Sequence, residues 1–301
     1  MLSLRVIVTG ASGLLGRAVL KEFKKAGHEC QGLAFSRAKG DLKKLDLEDE
    51  GAVEAFIDEY RPDVIVHCAA ERRPDVVEKN PEAVRNLNVQ VPRVLAELTN
   101  DRGIMLIYIS TDYVFDGTKA PYDVRDKPHP LNVYGETKLQ GEIEIKKYNT
   151  AAILLRVPIL YGETEYNGES AVNILIDQVK DQAKTVSMDH YAIRYPTNVA
   201  DVAHVIKDLA VRVRLEKVFI SGILHFSAEE KFTKYEMCEV IARALDTSID
   251  HLQANSVAPK ANETPRPYDC HLSNRCLKGL GINTTCVKFE DWMKQWLAKG
   301  H

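Results

Sequence analysis

The sequence predicts an α/β protein built on a doubly wound parallel sheet, with a smaller C-terminal lobe. Two observations carry this prediction. The β-branched run Val6–Val8 leads directly into the spaced glycines Gly10, Gly13 and Gly16. Beyond them, short apolar runs alternate with segments whose apolar residues recur every three or four positions, as strands and helices alternate in this class. Because the glycines follow a buried strand and open a helix, the sheet is predicted to be Rossmann-type.

The first half of the chain supplies strands and helices in turn. Strands are predicted where apolar residues run together, and helices where an apolar stripe recurs at spacings of three and four. In chain order the prediction is strand 6–8, helix 14–23, strand 29–35, helix 53–60, strand 63–67, helix 84–98, strand 104–109, helix 134–147 and strand 151–155. Asn80–Pro81 is typical of a helix start, and Pro92 predicts a kink or restart within the helix over 84–98.

The composition excludes several classes of protein. The 301 residues include 40 basic and 43 acidic side chains, a net charge of −3, so nothing indicates nucleic acid or a membrane as a partner. No apolar run approaches the roughly 18 residues of a membrane span. Because the first strand begins within a few residues of Met1, we expect no signal peptide and a cytoplasmic protein. The six cysteines form no C-x-x-C pair and the histidines no metal spacing, so we expect reduced thiols and no metal.

The glycine-rich turn after the first strand predicts a dinucleotide site. Gly10 allows a tight turn, Gly13 lets the backbone approach a pyrophosphate, and Gly16 lets the following helix pack closely on the sheet. The N-terminus of that helix attracts phosphate groups. The cofactor contacts predicted here are Gly10, Ser12, Gly13, Leu14, Leu15 and Gly16. The alternative is a glycine-rich turn that binds no ligand.

The dinucleotide site and the weaker strand–helix alternation after Gly162 suggest two units. We predict a cofactor-binding Rossmann domain over residues 1–165, with a return segment near 195–215. Residues 166–301 are predicted to form a smaller lobe on the substrate side. An aromatic stripe over 289–297 predicts an amphipathic helix, and core packing is favoured over a partner surface for its apolar face.

The end of the second strand favours NADP over NAD. That strand ends Phe35-Ser36-Arg37, where an NAD site often has an acidic residue on the ribose 2′-hydroxyl. A guanidinium suits a phosphate, although a solvated loop arginine is the alternative. Further contacts are expected at the carboxyl ends of later strands, from Cys68, Ala69, Arg72 and Leu160. For Leu160 a plain core position is the alternative. Of Arg72 and Arg73, one could reach the phosphates while the other only pairs with a surface carboxylate.

Three residues predict chemistry on a carbonyl group. Tyr134 and Lys138 are four residues apart and so share a helix face. A nearby ammonium favours the phenolate and lowers the tyrosine pKa, which suits proton exchange with a carbonyl near neutral pH. Thr111, at the carboxyl end of the strand over 104–109, could bond the same oxygen. The alternative for the tyrosine and lysine alone is a solvated pair on a helix surface.

The segments Ser110–Asp116, Asn132–Leu139 and Gly141–Glu142 resemble the extended short-chain dehydrogenase/reductase family, in its dTDP-4-dehydrorhamnose reductase branch. The resemblance covers nearly the whole chain. It implies a nicotinamide cofactor and a catalytic set of Thr111, Tyr134 and Lys138. It further implies that Asn88 supports a proton relay through the lysine, and that Asp46 and Leu47 contact adenine.

Other segments resemble the regulatory (beta) subunits of methionine adenosyltransferase, namely His67–Glu78, Arg156–Gly162, Met188–His190 and Arg194–Thr197. That resemblance implies an NADP-binding regulatory subunit that modulates S-adenosylmethionine synthesis by a catalytic partner. Ile159 stands where reductases of the related branch usually have a tryptophan.

Three functions remain open on these residues. The first is the regulatory subunit that the second resemblance implies. The second is an NADPH-dependent reductase of a nucleotide-activated 4-keto sugar. The third is a scaffold whose affinity for a partner depends on the redox state of the cofactor. Beta subunits ordinarily extend into a tail that inserts into the partner. We expect this chain to lack that tail, because it ends at His301 soon after the last predicted helix.

Overall fold

The computed structural model describes residues 2–71, 81–259 and 265–300. Asn80 and Arg72 lie outside the described residues. The strands are β1 (Arg5–Thr9), β2 (Glu29–Ala34), β3 (Lys43–Lys44), β4 (Val64–His67), β5 (Met105–Thr111), β6 (Ile153–Val157), β7 (Leu160–Tyr161), β8 (Val186–Asp189), β9 (Thr197–Asn198), β10 (Gly222–His225) and β11 (Leu252–Asn255). The helices are α1 (Leu14–Lys25), α2 (Glu50–Tyr60), α3 (Pro81–Arg85), α4 (Val91–Asp101), α5 (Val133–Tyr148), α6 (Ile174–Lys180), α7 (Val199–Arg214), α8 (Lys234–Leu245), α9 (Arg275–Gly279) and α10 (Phe289–Leu297).

Seven strands form one parallel sheet in the order β10-β6-β5-β4-β1-β2-β3. Six of them follow the Rossmann order, in which the chain reverses direction across the sheet between β1 and β4. The doubly wound parallel sheet predicted from the sequence is therefore confirmed. The reversal opens a crevice outside the carboxyl ends of these strands, where such folds bind their ligands.

Both faces of the sheet are covered by helices, because successive side chains of each strand point to opposite sides. Val6 and Val8 of β1 pack with helices α1 and α7 on one face. Ile7, between them, packs on the other face with helices α2, α4 and α5. This burial on both sides explains why the central strands are continuous apolar runs in the sequence.

The helix predicted over 84–98 is interrupted, as Pro92 led us to expect. Helix α3 gives way to a π-helical turn over Asn86–Gln90, and helix α4 then begins at Val91 with the proline in its first turn. The Val91 amide still bonds the Asn86 carbonyl across the π-helical turn, so the irregularity in the helix falls next to the residue that has no amide hydrogen to donate. The restart is confirmed.

A separate apolar cluster holds together the later elements of the chain. Helices α6, α8 and α10 pack around it, beside the parallel strand pair β8 and β11. Met293 and Trp296 of α10 are buried there, and Trp292 packs against the cluster. The aromatic stripe over 289–297 is therefore a packing face, as predicted.

Two later elements belong with the large sheet. Helix α7 packs on the same face as α1, and strand β10 pairs with β6 at the edge of the sheet. The sequence analysis did not predict β10, which is only four residues long. We retain the division at residue 165, with a return of the chain near 195–215, as a proposal. Within the described residues, no helix is long and apolar enough to cross a membrane.

Candidate dinucleotide-binding site

The crevice at the carboxyl ends of the strands is a cleft of about 810 Å³. Nearly every residue that the sequence analysis singled out lines it. These are Gly10, Ser12, Gly13, Leu14, Leu15, Gly16, Phe35, Ser36, Arg37, Asp46, Leu47, Cys68, Ala69, Thr111, Tyr134, Lys138 and Leu160. Arg72 lies outside the described residues. The cleft thus brings together side chains from many separate parts of the chain.

The glycine-rich turn has a shape that only glycine allows at two of its positions. Gly10 has φ +63°, in the left-handed region, and its carbonyl accepts a hydrogen bond of 2.9 Å from the Gly13 amide. A Cβ at Gly16 would lie 2.2 Å from the Gly10 oxygen, so the first turn of α1 packs directly on the glycine turn.

Gly13 differs from the other two glycines. It is the N-cap of α1 and has an ordinary extended φ of −85°. A Cβ there would meet only the Gly10 oxygen within 4 Å, at 3.2 Å. Within the protein a Cβ would therefore press on this one backbone oxygen, whereas a ligand lying across the N-terminus of α1 would leave it no room.

Arg37 crosses the mouth of the cleft. Its Nη1 donates a 2.7 Å hydrogen bond to Oε1 of Glu169, a residue that the sequence analysis did not connect with the cofactor. The Arg37 side chain is 44% exposed, so it is paired and still accessible to a ligand. Phe35, two residues earlier, is 56% exposed and presents an aromatic surface at the same edge.

Tyr134 and Lys138 are placed by the start of helix α5. The Asn132 side chain accepts a hydrogen bond of 3.0 Å from the Gly135 amide, which fixes the N-terminus of the helix beside strand β5. Tyr134 then lies in the first turn and Lys138 one turn later. The Tyr134 ring contacts that of Tyr113 edge-on, with centroids 6.0 Å apart.

Lys138 is almost completely buried, at 2% exposure. Burial lowers the pKa of Lys138 to about 7, although the Glu142 carboxylate acts in the opposite direction. The lysine is therefore only partly protonated near neutral pH.

Thr111 is tied to a neighbour that the sequence analysis missed as a site residue. Its hydroxyl donates to Oδ1 of Asp112 at 3.1 Å and accepts from the Tyr113 amide at 3.2 Å. Burial raises the pKa of Asp112 to about 6, although the Arg194 charge opposes this. A carboxyl group that titrates near neutral pH therefore lies next to Thr111. Its position directly after a strand end was the signal that could have identified it.

Three cationic side chains line the far side of the cleft, and none was predicted as a site residue. They are Arg194, Lys234 and Arg266. Burial lowers the pKa of Lys234, and the charges of Arg266 and Arg194 lower it further, which indicates that the three groups lie close together. Lys234 begins helix α8, whose N-terminus is closed by a capping box of Thr233 and Glu236. Arg266 stands in a loop with no sequence signal.

Asn88, implied by the family resemblance to act with the lysine, joins two parts of the fold through its side chain. Its Nδ2 donates to Thr137 Oγ1 at 3.2 Å and to the Glu71 carbonyl at 3.1 Å. Its Oδ1 accepts from the Glu71 amide at 3.1 Å. Asn88 therefore fixes the chain after strand β4 to helix α5, on the turn of helix before Lys138.

A buried ion pair supports the floor of the site. Glu142, one turn after Lys138, accepts hydrogen bonds of 2.8 and 2.6 Å from the Arg156 guanidinium. Ser110 also donates to Glu142, at 2.6 Å. Both charged side chains are at most 2% exposed. These contacts join helix α5 to strands β5 and β6 and so fix the position of the lysine.

A family model described as the RmlD substrate binding domain matches residues 4–299. The chain belongs to this family. The matched residues include the large sheet with its cleft and the later apolar cluster of helices α6, α8 and α10. Among the residues that the structure describes, no group of three or more His, Cys, Asp or Glu side chains could hold a metal ion.

Within this family, the chain is similar to methionine adenosyltransferase 2 subunit beta from Danio rerio. The two are 45% identical over 293 residues, which is 97% of this chain and 90% of the relative. The similarity therefore extends through the whole fold rather than the cofactor motif alone.

Two solved structures show what this fold holds. The dTDP-4-dehydrorhamnose reductase of Bacillus anthracis, in complex with NADP, has a TM-score of 0.84 and 26% identity over 99% of both chains. The enzyme WbmG of Bordetella bronchiseptica, in complex with NAD and UDP, has a TM-score of 0.81 over 99% of this chain and 94% of its own. At 20% identity, the second shares the fold alone. The first of these structures supports a nicotinamide dinucleotide as the ligand of the cleft.

Proposed function

We propose that this chain is an NADP-binding regulatory subunit of a methionine adenosyltransferase, modulating S-adenosylmethionine synthesis by a catalytic partner. The observation that carries the proposal is the 45% identity to a subunit named beta, sustained over 97% of this chain. The shared residues extend through the whole fold, which supports a shared role.

The cleft fits a dinucleotide in three places. The open position at Gly13 and the N-terminus of α1 suit the diphosphate. The exposed ring of Phe35, with Asp46 and Leu47 beside it in the lining, suits the adenosine end. Leu160 follows β6, on the other side of the sheet from β2, and suits the nicotinamide ring; Cys68 and Ala69 follow β4, which lies between them in the sheet. In this proposal Arg72 also contacts the cofactor.

The preference proposed for NADP over NAD rests on Ser36 and Arg37. A 2′-phosphate carries the charge that a guanidinium binds through two parallel hydrogen bonds, whereas the 2′-hydroxyl of NAD offers no such partner. Arg37 lines the cleft and is accessible there.

Tyr134 and Lys138 then serve mainly to hold the cofactor. When bound, a nicotinamide supplies hydride chemistry at its ring. The phenol of Tyr134 and the amine of Lys138 can bond the ribose hydroxyls of that end. Because both groups are needed to hold the ribose, their presence is compatible with a subunit that has no turnover of its own.

The test of the proposal is assembly with the catalytic subunit of the same source. We expect a complex at micromolar concentrations by size-exclusion chromatography. We also expect a changed KM or kcat for S-adenosylmethionine formation when the chain is added in equimolar amount. Chain that has been heat-unfolded is the control and should change neither. No complex, with unchanged kinetics, would contradict the proposal.

A second candidate function is reduction of a nucleotide-activated 4-keto sugar with NADPH. The observation that favours it is the convergence of Thr111, Tyr134 and Lys138 in one cleft, opposite three cationic side chains that suit an anionic substrate. The required result is substrate-dependent loss of NADPH absorbance that Tyr134→Phe abolishes. Failure across a panel of such sugars would exclude this candidate.

A further inference from the structure

Glu169 is the centre of a charged cluster at the mouth of the cofactor cleft. Its side chain is only 3% exposed, on the short 3₁₀ turn Asn167–Glu169. Arg17 of helix α1 donates to both carboxylate oxygens, at 3.0 and 2.5 Å. The Glu165 amide donates to Oε2 at 2.9 Å, and Arg37 donates to Oε1 at 2.7 Å.

The carboxylate of Glu169 is held in its charged form mainly by Arg17, with smaller contributions from the Glu165 amide and Arg37. Burial alone would raise its pKa, but hydrogen bonds from Arg17, the Glu165 amide and Arg37 together lower it to about 2. Arg17 also donates to the Ser12 carbonyl at 2.7 Å, so it is fixed to the glycine-rich turn. The Arg17–Glu169 pair is therefore a rigid, nearly neutral unit beside the cofactor turn.

The orientation of the Arg37 side chain depends on Glu169, whereas Glu169 is held in place mainly by contacts other than Arg37. Arg37 stands on a loop after strand β2, and its side chain is 44% exposed. It reaches Glu169 through Nη1 only, and within the described part of the chain its Nη2 and Nε make no hydrogen bond. The guanidinium is thus held at one end and presents its other donors to the cleft.

We propose that Glu169 is the positioning residue for Arg37, and through it determines the preference for the 2′-phosphate of NADP over NAD. The inference rests on the NADP site proposed above. A long arginine side chain on a loop loses rotational freedom when it binds a phosphate, and a carboxylate that already orients it removes part of that cost. Specificity for the cofactor therefore depends on a residue 132 positions further along the chain.

Electrostatic repulsion alone predicts the opposite change in NADP affinity, and this difference makes the proposal testable. A carboxylate beside Arg37 would repel a 2′-phosphate, and its neutralisation would tighten NADP binding. We expect positioning to dominate because Arg17 already balances the Glu169 charge. The variant Glu169→Gln removes the charge at nearly constant size and so separates the two effects.

The experiment is titration calorimetry of NADP and NAD with the full-length chain. For Glu169→Gln we expect NADP to bind about tenfold more weakly, since a charge-assisted hydrogen bond is lost. NAD affinity should not change, which also reports an intact fold. The matched control is Glu165→Gln, whose exposed carboxylate lies 4.0 Å from the same Arg37 nitrogen and should leave both affinities unchanged. Unchanged or tighter NADP binding by Glu169→Gln would overturn the proposal.

A double variant shows whether Glu169 acts through Arg37. With Arg37→Ala already present, Glu169→Gln should not alter the NADP-to-NAD affinity ratio further; a further loss would overturn the proposed route. If Glu169→Gln weakens both dinucleotides, Glu169→Asp keeps the charge opposite Arg17 but is one methylene shorter. Glu169→Asp should then weaken the binding of NADP but not of NAD. An NADP-to-NAD affinity ratio equal to that of wild type would overturn the inference. A wild-type chain with no preference for NADP would instead contradict the proposed cofactor site itself.

Discussion

Lys138 of helix α5 lies with its Nζ atom 4.0 Å from the centroid of the Tyr108 ring on strand β5. Both side chains are buried, so the ring face provides one of the few favourable contacts for the ammonium. Burial nevertheless dominates, and it lowers the pKa of Lys138 to about 7. The folded chain therefore takes up fewer protons than the unfolded chain between about pH 7 and 10.

This difference in bound protons determines how the stability of the fold should change with pH. As pH rises from 7 to 9.5, wild-type protein should gain free energy of unfolding relative to Lys138→Met, by about 1 kcal/mol per pH unit. Below pH 7 the lysine is protonated in both states, and the difference should become constant. Urea unfolding of both proteins at several pH values measures it. Parallel stability curves across this range would contradict the low pKa.

Asp112 should show the opposite dependence. Burial raises the pKa of Asp112 to about 6, so the folded chain binds more protons than the unfolded chain between about pH 4 and 6. As pH rises through this window, wild type should lose stability relative to Asp112→Asn, by about 2 kcal/mol in total. Urea unfolding at pH 4.5 and pH 7 is the measurement.

Asp116 is the control for that experiment. A hydrogen bond from Tyr122 holds the pKa of Asp116 well below its usual range. The ionised form therefore stabilises the fold above the ordinary carboxyl pKa, and this stability is lost in acid. Relative to Asp116→Asn, wild type should be more stable at pH 7 than at low pH. The same sign for both aspartates would show that their environments have been misassigned.

Breaking the buried ion pair should be costly. Arg156→Met leaves the Glu142 carboxylate buried without its partner, and we expect a loss of about 3–5 kcal/mol in the free energy of unfolding. Arg93→Met is the matched control, because its pair with Glu97 lies near the surface and should contribute less than about 1 kcal/mol. Adding Glu142→Gln to Arg156→Met should restore part of the loss. Equal effects at the two arginines would contradict the account.

Substitutions in the glycine-rich turn should separate effects on dinucleotide binding from effects on the stability of the fold. Gly13→Val should abolish dinucleotide binding and largely preserve the fold, because Gly13 has an ordinary φ and an open side toward the cleft. Gly16→Ala should instead destabilise the fold, since its Cβ would overlap the Gly10 oxygen. Thermal unfolding and calorimetric titration distinguish the two outcomes. Undiminished affinity in Gly13→Val would remove the glycine turn from the site.

Much of the fold was predictable because its signals are local. The glycine turn, the buried strands and the four-residue spacing of Tyr134 and Lys138 each lie within a short stretch of chain. The restart near Pro92 follows from the chemistry of one residue. Strand β10 escaped prediction because it has four residues, Gly222–His225, and gains its identity only from pairing with β6.

The unpredicted parts of the site depend on distant pairs. No local pattern connects Arg37 with Glu169, or Glu142 with the Ser110 hydroxyl. The cationic side of the cleft combines residues from a loop, a helix start and an irregular segment, so only the folded chain places them together. Asp112 is the exception, since it directly follows a strand end where ligands bind in this fold.

A crystal structure of the chain with NADP tests the central claim most directly. The account predicts the dinucleotide along the cleft, with its diphosphate at Gly13 and the N-terminus of α1. The 2′-phosphate should lie on Arg37 while that side chain remains bonded to Glu169. A cleft without nucleotide at saturating NADP, or a nucleotide bound elsewhere on the protein, would contradict it.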